Sequence, residues 1–333
     1  MTQVALIELR GAGGEPVDLR RTLGSHGVAE LPPMAIDADT LGAAVTLATP
    51  EGPRTVRLEA AGEVEAQPTD APLGTAGLDG PAPLLAVTVA DDGQPPGAAG
   101  AADITAAVQR MFCLADDLSS FYAAVSADPG LAWAARGAGR LLRSPTVFED
   151  VVKTVCTTNC AWSATERMVG ALVGRLGEPA PGAPPGVVAG RAFPTPEAMA
   201  AAGDDFYKGV ARAGYRGPYL RGIAARVAGG ELDLEALLVA SRDELPDEEV
   251  ERTLLALPGV GPYAAAHIML LLGRHSRLVL DSWTRPKYAR LQGRPKGKLI
   301  ADSTIRRRFR RYGDHAGLAF WLVLTRDWVD DGA

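Results

Sequence analysis

The sequence predicts an α+β protein in which a small N-terminal antiparallel sheet precedes a mostly helical region. Short β-prone runs separated by Gly, Pro and Asp clusters occupy positions 1 to about 92. Beyond about residue 100 the apolar residues recur with the helical period, and a glycine-containing turn joins two helical patterns near residue 260. We therefore expect a β-rich domain with its linker at 1–100 and a helical region at 101–333.

Four runs are candidate strands, at 4–9, 44–48, 55–59 and 84–89. A Gly/Pro-rich stretch at 93–100 is the predicted linker. Asp103 is the predicted N-cap of the helix that follows it.

The composition is that of a globular chain, with 333 residues, 47% apolar and 22% charged. No apolar run approaches the roughly 20 residues that a bilayer requires, so we expect no membrane partner. The first residues lack the basic start and apolar core of a signal peptide, and three cysteines make no disulfide framework. We expect a cytoplasmic monomer.

The net charge of −6 is unevenly distributed. Residues 1–100 hold 14 acids and 5 bases, whereas residues 274–311 hold 13 Arg or Lys and 2 Asp. Local basic surface, and not the sum over the chain, determines affinity for nucleic acid. The stretch is either a solvated surface run or a face that tracks phosphates.

The segment from Leu257 to Tyr263 contains two glycines two positions apart, with helical patterns on both sides, over about 247–273. Free backbone N–H groups at a helix N-terminus form an anion site, and glycine allows a phosphate to approach the backbone. The candidate ligands of a DNA phosphate are Gly259, Val260, Gly261 and Arg285. The alternative is a turn that only caps its helices.

This turn, the helix after it, Gly273 and Val279-Leu280-Asp281 resemble the signature of the helix–hairpin–helix (HhH-GPD) DNA glycosylase superfamily, in its 3-methyladenine DNA glycosylase II and 8-oxoguanine DNA glycosylase branch. Residues 148–159 and 213–234 resemble further segments of these families, so the resemblance covers roughly 103–328. It implies damaged double-stranded DNA as the partner. It allows a monovalent cation at the hairpin carbonyls and implies no soluble cofactor. No cysteine follows Cys160, which excludes the four-cysteine iron–sulfur site of endonuclease III-like relatives.

Asp281, in a loop at about 274–285, matches the catalytic aspartate of that signature. A fixed carboxylate near the anomeric carbon stabilises the oxocarbenium-like sugar formed when an N-glycosidic bond breaks. Asp281 is also a candidate helix N-cap, and the two roles are compatible.

Tyr263 stands where bifunctional relatives carry a lysine that forms a Schiff base. A phenol forms no imine, so the resemblance implies hydrolysis without strand cleavage. The ring either stacks on an extruded base or only packs in the core.

Thr158 and Asn159 lie where one helical pattern ends and the next begins. The resemblance implies that they face the opposite strand and fill the gap left by an extruded base. Asn159 is alternatively a helix C-cap. The 8-oxoguanine relatives carry an arginine at the position of Ala164, which puts cytosine-opposite specificity in doubt.

Trp283, Trp162 and Trp321 are the remaining candidates for a base pocket, although large aromatic residues are more often core. His267 and His275 are interpreted as structural or surface residues. Glu149 and Asp150 are interpreted as surface or capping acids. No group of residues predicts a metal site.

The sequence thus predicts a monofunctional DNA glycosylase that excises a damaged purine. An alkylated purine is the first candidate, because alkylation at N3 or N7 makes the base a good leaving group. The alternatives are an 8-oxoguanine or oxidised-base glycosylase and a non-catalytic helix–hairpin–helix protein that binds DNA structure.

Overall fold

A computed structural model describes residues 1–62, 82–90 and 95–329. Its N-terminal sheet has five antiparallel strands in the order β1-β5-β4-β3-β2. The strands are β1 Thr2–Glu8, β2 Ala35–Asp37, β3 Gly42–Leu47, β4 Arg54–Ala61 and β5 Leu84–Val89. The four predicted strands and their antiparallel pairing are confirmed. The sequence did not indicate β2, which is too short to show an alternating pattern.

The helical region follows the sheet in the chain. The first helices are α1 Leu19–Leu23, α2 Ala98–Met111, α3 Ser119–Ser126, α4 Val147–Thr157, α5 Trp162–Leu176, α6 Pro196–Ala201 and α7 Arg216–Ala228. The later ones are α8 Ala236–Val239, α9 Asp247–Leu255, α10 Pro262–Leu271, α11 Thr284–Leu291, α12 Asp302–Phe309 and α13 Ala316–Thr325. Short 3₁₀ turns occupy Gly27–Glu30, Ala132–Arg136, Arg310–His315 and Arg326–Trp328, and Phe206–Val210 is a π-helical turn.

The helix after the predicted linker begins earlier than expected. Helix α2 starts at Ala98 with Gly97 as its N-cap, so Asp103 lies inside it. Ile104, Val108 and Met111 bury one face of α2 against the sheet. At the helix start, the Gly97 N–H donates to the Glu51 carboxylate at 3.2 Å, a contact with a distant segment that the local sequence does not show. Positions 93 and 94 of the predicted linker lie outside the described residues, and the domain boundary near residue 100 stays a prediction.

Three hydrophobic cores organise the described residues, and α10 contributes to two of them. The sheet and α2 form the first core. Ala264, Ala265, Ile268 and Met269 of α10 pack into a second core with α4, α5, α7 and α9. Ala266, Leu270 and Leu271 pack into a third with α3, α11, α12 and α13. A helix that is apolar on all sides must be buried, so α10 is the central helix. Its N-terminal end lies between the two helical cores, because Tyr263 contacts both of them.

The segment 21–26 joins the N-terminal part to the helical cores. The Arg21 guanidinium lies 4.2 Å from the ring centroid of Trp133. The Trp321 indole N–H donates to the Ser25 carbonyl at 2.9 Å, and a ring nitrogen of His26 lies 2.8 Å from the Leu142 carbonyl. Within the described residues, none of the helices has the length and apolar character needed to cross a membrane.

Candidate active site and DNA interface

The turn between α9 and α10 has two glycines with different physical requirements. Gly259 has φ +83°, and a Cβ there would lie 2.9 Å from Cδ2 of Tyr219 and 3.3 Å from Cγ1 of Val155. Both the left-handed backbone and the close packing therefore require glycine. Gly261 caps α10 in an extended conformation, and a Cβ there would meet open space.

The amides of this turn are available to a ligand. Val260 N–H donates to the Leu257 carbonyl at 3.2 Å, whereas the N–H groups of Gly259 and Gly261 donate to no acceptor among the described residues. Of the predicted phosphate ligands, Gly259 and Gly261 thus retain free donors beside a helix N-terminus, and Val260 is buried below the turn. The side chain of Arg285 forms a two-point ion pair with Asp302 at 2.8 Å and is only partly exposed.

Asp281 caps α11 and keeps one carboxylate oxygen free. Its Oδ1 accepts the N–H groups of Trp283 at 2.8 Å and Thr284 at 2.6 Å. In return, Asp281 N–H donates to the Thr284 hydroxyl at 2.8 Å. Its Oδ2 has no hydrogen-bond donor in the described part of the chain. The predicted capping role is present, and it fixes the direction of the carboxylate without using the second oxygen.

Tyr263 lies beside this carboxylate, in the first turn of α10. Its hydroxyl is 3.2 Å from the Thr157 hydroxyl at the end of α4. Burial raises the pKa of Tyr263, the hydrogen bond with Thr157 lowers it, and the negative charge of Asp281 raises it further. The phenol is therefore protonated at neutral pH and electrostatically close to Asp281. The ring is half-buried and contacts both helical cores.

Three indoles next to Asp281 form a group that we call the indole cluster: Trp283, Trp321 and Trp328. Their ring centroids lie 5.3 to 5.9 Å apart in every pair. Trp283 and Trp328 are 37% and 41% exposed, whereas Trp321 is buried. Trp283, predicted from its spacing to Asp281, is thus an exposed wall of the site, and Trp321 is the packed residue behind it.

Two buried histidines lie behind Tyr263, where the sequence analysis assigned no site role. The His267 ring is 6.2 Å from both Tyr263 and Trp321 and 5.4 Å from His26. Burial lowers the pKa of His267 to about 4, and burial with the neighbouring His267 lowers the pKa of His26 to about 3. Both rings are therefore neutral at pH 7. One feature of the sequence does indicate that His267 lies near Tyr263: the two residues are four positions apart, which places them on one face of a helix.

The predicted opposite-strand residues form a loop at the end of α4. Asn159 has φ +49°, as expected of a residue just past a helix end, and its side chain is exposed. Its Nδ2 donates to the Tyr215 hydroxyl at 3.3 Å. Thr158 is buried instead, with its hydroxyl on the Val155 carbonyl and its own carbonyl bonded by Arg216. Asn159 thus presents its side chain to solvent, and Thr158 supports the loop.

Tyr215 is a functional candidate to which the sequence analysis assigned no role. Its ring is 51% exposed, and the Arg216 guanidinium lies 4.5 Å from the ring centroid. Tyr219 packs edge-on against it at 5.9 Å and also contacts the position of Gly259. The hairpin turn, Tyr215 and Asn159 are therefore one connected surface.

Trp162 lies away from the indole cluster. Its ring packs on Gly27, where a Cβ would be 3.4 Å from Cη2, and 42% of the residue remains exposed. None of the ring contacts in the described residues joins Trp162 to Tyr263 or Trp283. The three predicted pocket residues are thus divided, with Tyr263 and Trp283 beside Asp281 and Trp162 against the N-terminal segment.

The surface alternative for the acids Glu149 and Asp150 was wrong. Glu149 and Asp150 are buried, not surface acids, and burial raises the pKa of each. Lys153 pairs with Glu149 at 2.7 Å, and Asp150 accepts the Ser144 N–H at 3.0 Å. These local partners compensate for the burial of the two acids, and the Lys153 ammonium also donates to the Leu31 carbonyl of a distant segment at 3.1 Å. His275 is buried too, in agreement with its interpretation as a structural residue.

The structure divides the basic stretch at 274–311 into held and free cations. Six residues are held by ion pairs or side-chain hydrogen bonds: Arg274, Arg277, Arg285, Lys287, Arg308 and Arg311. Seven are exposed and have neither within the described residues: Arg290, Arg294, Lys296, Lys298, Arg306, Arg307 and Arg310. The free cations all lie in 290–310, so that part of the chain is the candidate phosphate-tracking face.

The fold is that of solved DNA glycosylases, as comparison with their structures shows. The 3-methyladenine DNA glycosylase from Archaeoglobus fulgidus superposes with a TM-score of 0.67 at 18% identity, over 98% of this chain and 99% of that one. MBOgg1 in complex with a low-affinity DNA ligand superposes with a TM-score of 0.65 at 20% identity, over the same shares. The apo 8-oxoguanine glycosylase/lyase of Clostridium acetobutylicum gives 0.56 at 19% identity, over 84% of this chain and 88% of that one.

No protein-family model and no curated protein sequence matches the chain. At 18 to 20% identity these likenesses establish the fold. The activity has to be argued from the site.

Proposed function

We propose that this protein is a monofunctional DNA glycosylase that hydrolyses the N-glycosidic bond of a damaged purine in duplex DNA. The observation that carries the proposal is the Asp281 carboxylate, held by two backbone N–H groups on Oδ1 while Oδ2 accepts no hydrogen bond from the described residues. Trp283 of the indole cluster is bonded to it through its backbone N–H, and the charge of Asp281 acts on Tyr263, two residues after the hairpin glycine Gly261. The fold, shared with structures of DNA glycosylases, supports the same assignment.

DNA binding begins at the phosphates in this proposal. The amides of Gly259 and Gly261 bind one phosphate, and the free cations of 290–310 contact others without reading sequence. A base extruded toward Asp281 leaves a gap in the stack, and Asn159 with Tyr215 is placed to fill it.

Hydrolysis then requires little beyond the carboxylate. As the bond between the sugar and the base lengthens, positive charge develops on the sugar ring, and the fixed charge of Asp281 stabilises it. Water adds to the anomeric carbon, and the base leaves with the bonding electron pair. Because Oδ1 is already engaged by the helix N-terminus, the carboxylate does not reorganise during the reaction.

Strand cleavage is not expected, because the hairpin helix carries no amine at the reacting position. Tyr263 is protonated and bonded to Thr157. Lys287 is paired with Asp327 at 2.6 Å.

The proposed substrate is an alkylated purine, because an already good leaving group needs only a carboxylate and an aromatic wall. A second candidate is an oxidised purine such as 8-oxoguanine. One observation favours it: Lys287 places a positive charge against the indole cluster. A neutral base leaves as an anion, and a nearby positive charge stabilises that anion.

The deciding experiment is a panel of duplexes, each with one defined lesion, incubated with the full chain and scored for alkali-labile sites. Release of at least one damaged purine, with undamaged DNA intact, is the expected result. Tight binding to lesion DNA without any release would favour the non-catalytic DNA-structure-binding protein instead.

The same reactions, stopped without alkali, test the monofunctional assignment. Strand breaks should be rare compared with base release, and borohydride should trap no major protein–DNA adduct. A ratio of breaks to release near one at early times would show that a lysine acts as the nucleophile.

A further inference from the structure

Lys287 is a buried cation enclosed by aromatic faces beside the catalytic loop. Its ammonium lies 5.2 Å from the ring centroid of Trp283 and 5.7 Å from that of Trp328. Asp327 pairs with it at 2.6 Å. Trp283 is in turn tied to Asp281 through its backbone N–H. The ammonium of Lys287 therefore lies against the ring of Trp283, and the backbone N–H of the same Trp283 holds the proposed catalytic carboxylate of Asp281.

Helix geometry alone does not favour a cation at this position. Lys287 is in the first turn of α11, where the helix dipole disfavours positive charge, and that turn contains no acidic residue. The side chain of Lys287 is only 11% exposed. Burying a charge is costly unless it is paired, so its retention there requires the two indoles and Asp327 together.

The two members of the ion pair have unequal influence on the site. The side chain of Asp327 is 68% exposed and is screened by water, whereas the ammonium lies against the indole cluster. A base that stacks on Trp283 therefore experiences the positive charge of Lys287 together with the negative charge of Asp281, and the ammonium makes the field at the base less negative than Asp281 alone would make it. The aromatic faces that would otherwise attract a cationic base already hold a resident cation.

We propose that Lys287 is a specificity-determining residue that makes the site favour neutral purine lesions over positively charged ones. This inference rests on the proposed glycosylase activity, and it shifts the expected substrate from a cationic alkylated purine to a neutral lesion, in agreement with the second candidate. When a neutral base leaves, the bond from C1′ to the base breaks and the electron pair stays on the base, which becomes an anion. Water supplies hydroxide to C1′ and a proton that ends on the base. The ammonium stabilises that anion as it forms, whereas a cationic base leaves neutral and is repelled before the bond breaks.

The test compares matched alkylated purines under single-turnover conditions, ethenoadenine as the neutral lesion and 7-methylguanine as the cationic one. 8-Oxoguanine serves as a second neutral lesion. The measured quantity is the ratio of the neutral to the cationic release rate. Lys287→Met should lower this ratio about tenfold, as expected for removal of one nearby charge. Lys287→Arg keeps the charge and should leave the ratio near the parental value.

Asp327→Asn supplies a control of opposite sign. Removing the exposed carboxylate leaves Lys287 unbalanced, so the ratio should rise. If the pair had a purely structural role, the ratio of neutral to cationic release would change in the same direction in Lys287→Met and Asp327→Asn, or would not change because both lesions are released more slowly by the same factor. Either result would overturn the proposal. Because Asp327 is exposed, Asp327→Asn tests the sign even where Lys287→Met fails to fold.

Failure of this inference and failure of the proposed function are distinguishable. A parent protein that releases no lesion contradicts the proposed function. A parent protein that releases only cationic bases keeps the glycosylase assignment and contradicts the role of Lys287.

Discussion

In the proposed function, Asp281 uses the two oxygens of its carboxylate for different purposes, Oδ1 for the N–H groups at the start of α11 and Oδ2 for the reaction. Asp281→Asn retains an oxygen that can accept the N–H groups of Trp283 and Thr284 and removes the charge. We expect base release to fall by about 100-fold or more, because a stabilising interaction specific to the transition state is removed. Affinity for lesion DNA, measured by fluorescence anisotropy, should change less than about threefold, since the phosphate contacts lie elsewhere.

Thr284→Val separates the capping role from the catalytic one. It removes the hydroxyl that accepts the Asp281 N–H and keeps the carboxylate charge. The variant should lose about 1 kcal/mol of unfolding free energy and retain most base release. Near-parental release by Asp281→Asn, or a loss of release in Thr284→Val equal to that of Asp281→Asn, would show that only the cap matters.

At the scale of the element, the hairpin predicts opposite consequences for its two glycines. Gly261→Val places a side chain in open space in front of the free amides, with an extended backbone that valine adopts readily. The fold should persist, and affinity for damaged and undamaged duplex should fall by similar factors, on the order of tenfold. Gly259→Ala should instead lower the unfolding free energy by about 1 to 2 kcal/mol, because its backbone is left-handed and Tyr219 is too close.

Denaturation and duplex-binding titrations on the two variants provide the comparison. A loss of affinity in Gly261→Val confined to damaged DNA would place the turn at the base pocket and not at a phosphate.

The stretch containing α12 predicts which cations contribute to DNA affinity. Arg306 and Arg310 are exposed without an ion pair among the described residues, whereas Arg277 bonds Glu248 and Glu251. Replacing both Arg306 and Arg310 by alanine should reduce the dependence of log affinity on log salt by up to about 0.9 for each phosphate that is no longer neutralised. Arg277→Ala should leave that slope unchanged. Equal salt slopes for the parent and the double variant would exclude this face from the DNA interface.

At the scale of the whole molecule, the buried histidines predict acid lability. The pKa of His267 is lowered by burial from 6.5 to about 4, so protons bind more readily to the unfolded chain. The contribution of neutral His267 to the unfolding free energy is complete above about pH 6.5 and is lost as the pH falls toward 4. His26 acts in the same direction, with a pKa of about 3. Glu149 and Asp150 act in the opposite direction, because burial raises their pKa.

Glu149 and Asp150 are present in both the parent and His267→Gln, so their contribution to the pH dependence cancels when the unfolding free energies of the two proteins are compared. Between pH 6 and 5 the unfolding free energy of the parent should fall more steeply than that of the variant, by up to about 1.4 kcal/mol per pH unit. Chemical denaturation at each pH measures both curves, and His26→Gln provides an independent second variant. Parallel curves would show that the histidine stays neutral in the unfolded chain or charged in the folded one.

The parts of this protein that depend on local chemistry could be predicted from its sequence. Two glycines and the flanking helical patterns predict the hairpin, and alternating runs predict four strands. Each of these features depends on backbone conformation or residue type within a few positions of the chain. The candidate catalytic role of Asp281 and the missing lysine at Tyr263 are instead what the resemblance to a known signature implies.

The tertiary structure decided what depends on distant segments meeting. Trp328 and Asp327 reach the catalytic loop from the C-terminal turn, and His26 reaches α10 from the N-terminal part. The start of α2 likewise involves a distant contact, from the Gly97 N–H to the Glu51 carboxylate. Burial and side-chain pairing are properties of the folded surface, so no local pattern separates the held cation Lys287 from the free cation Arg290. That separation carries the proposed specificity of the site.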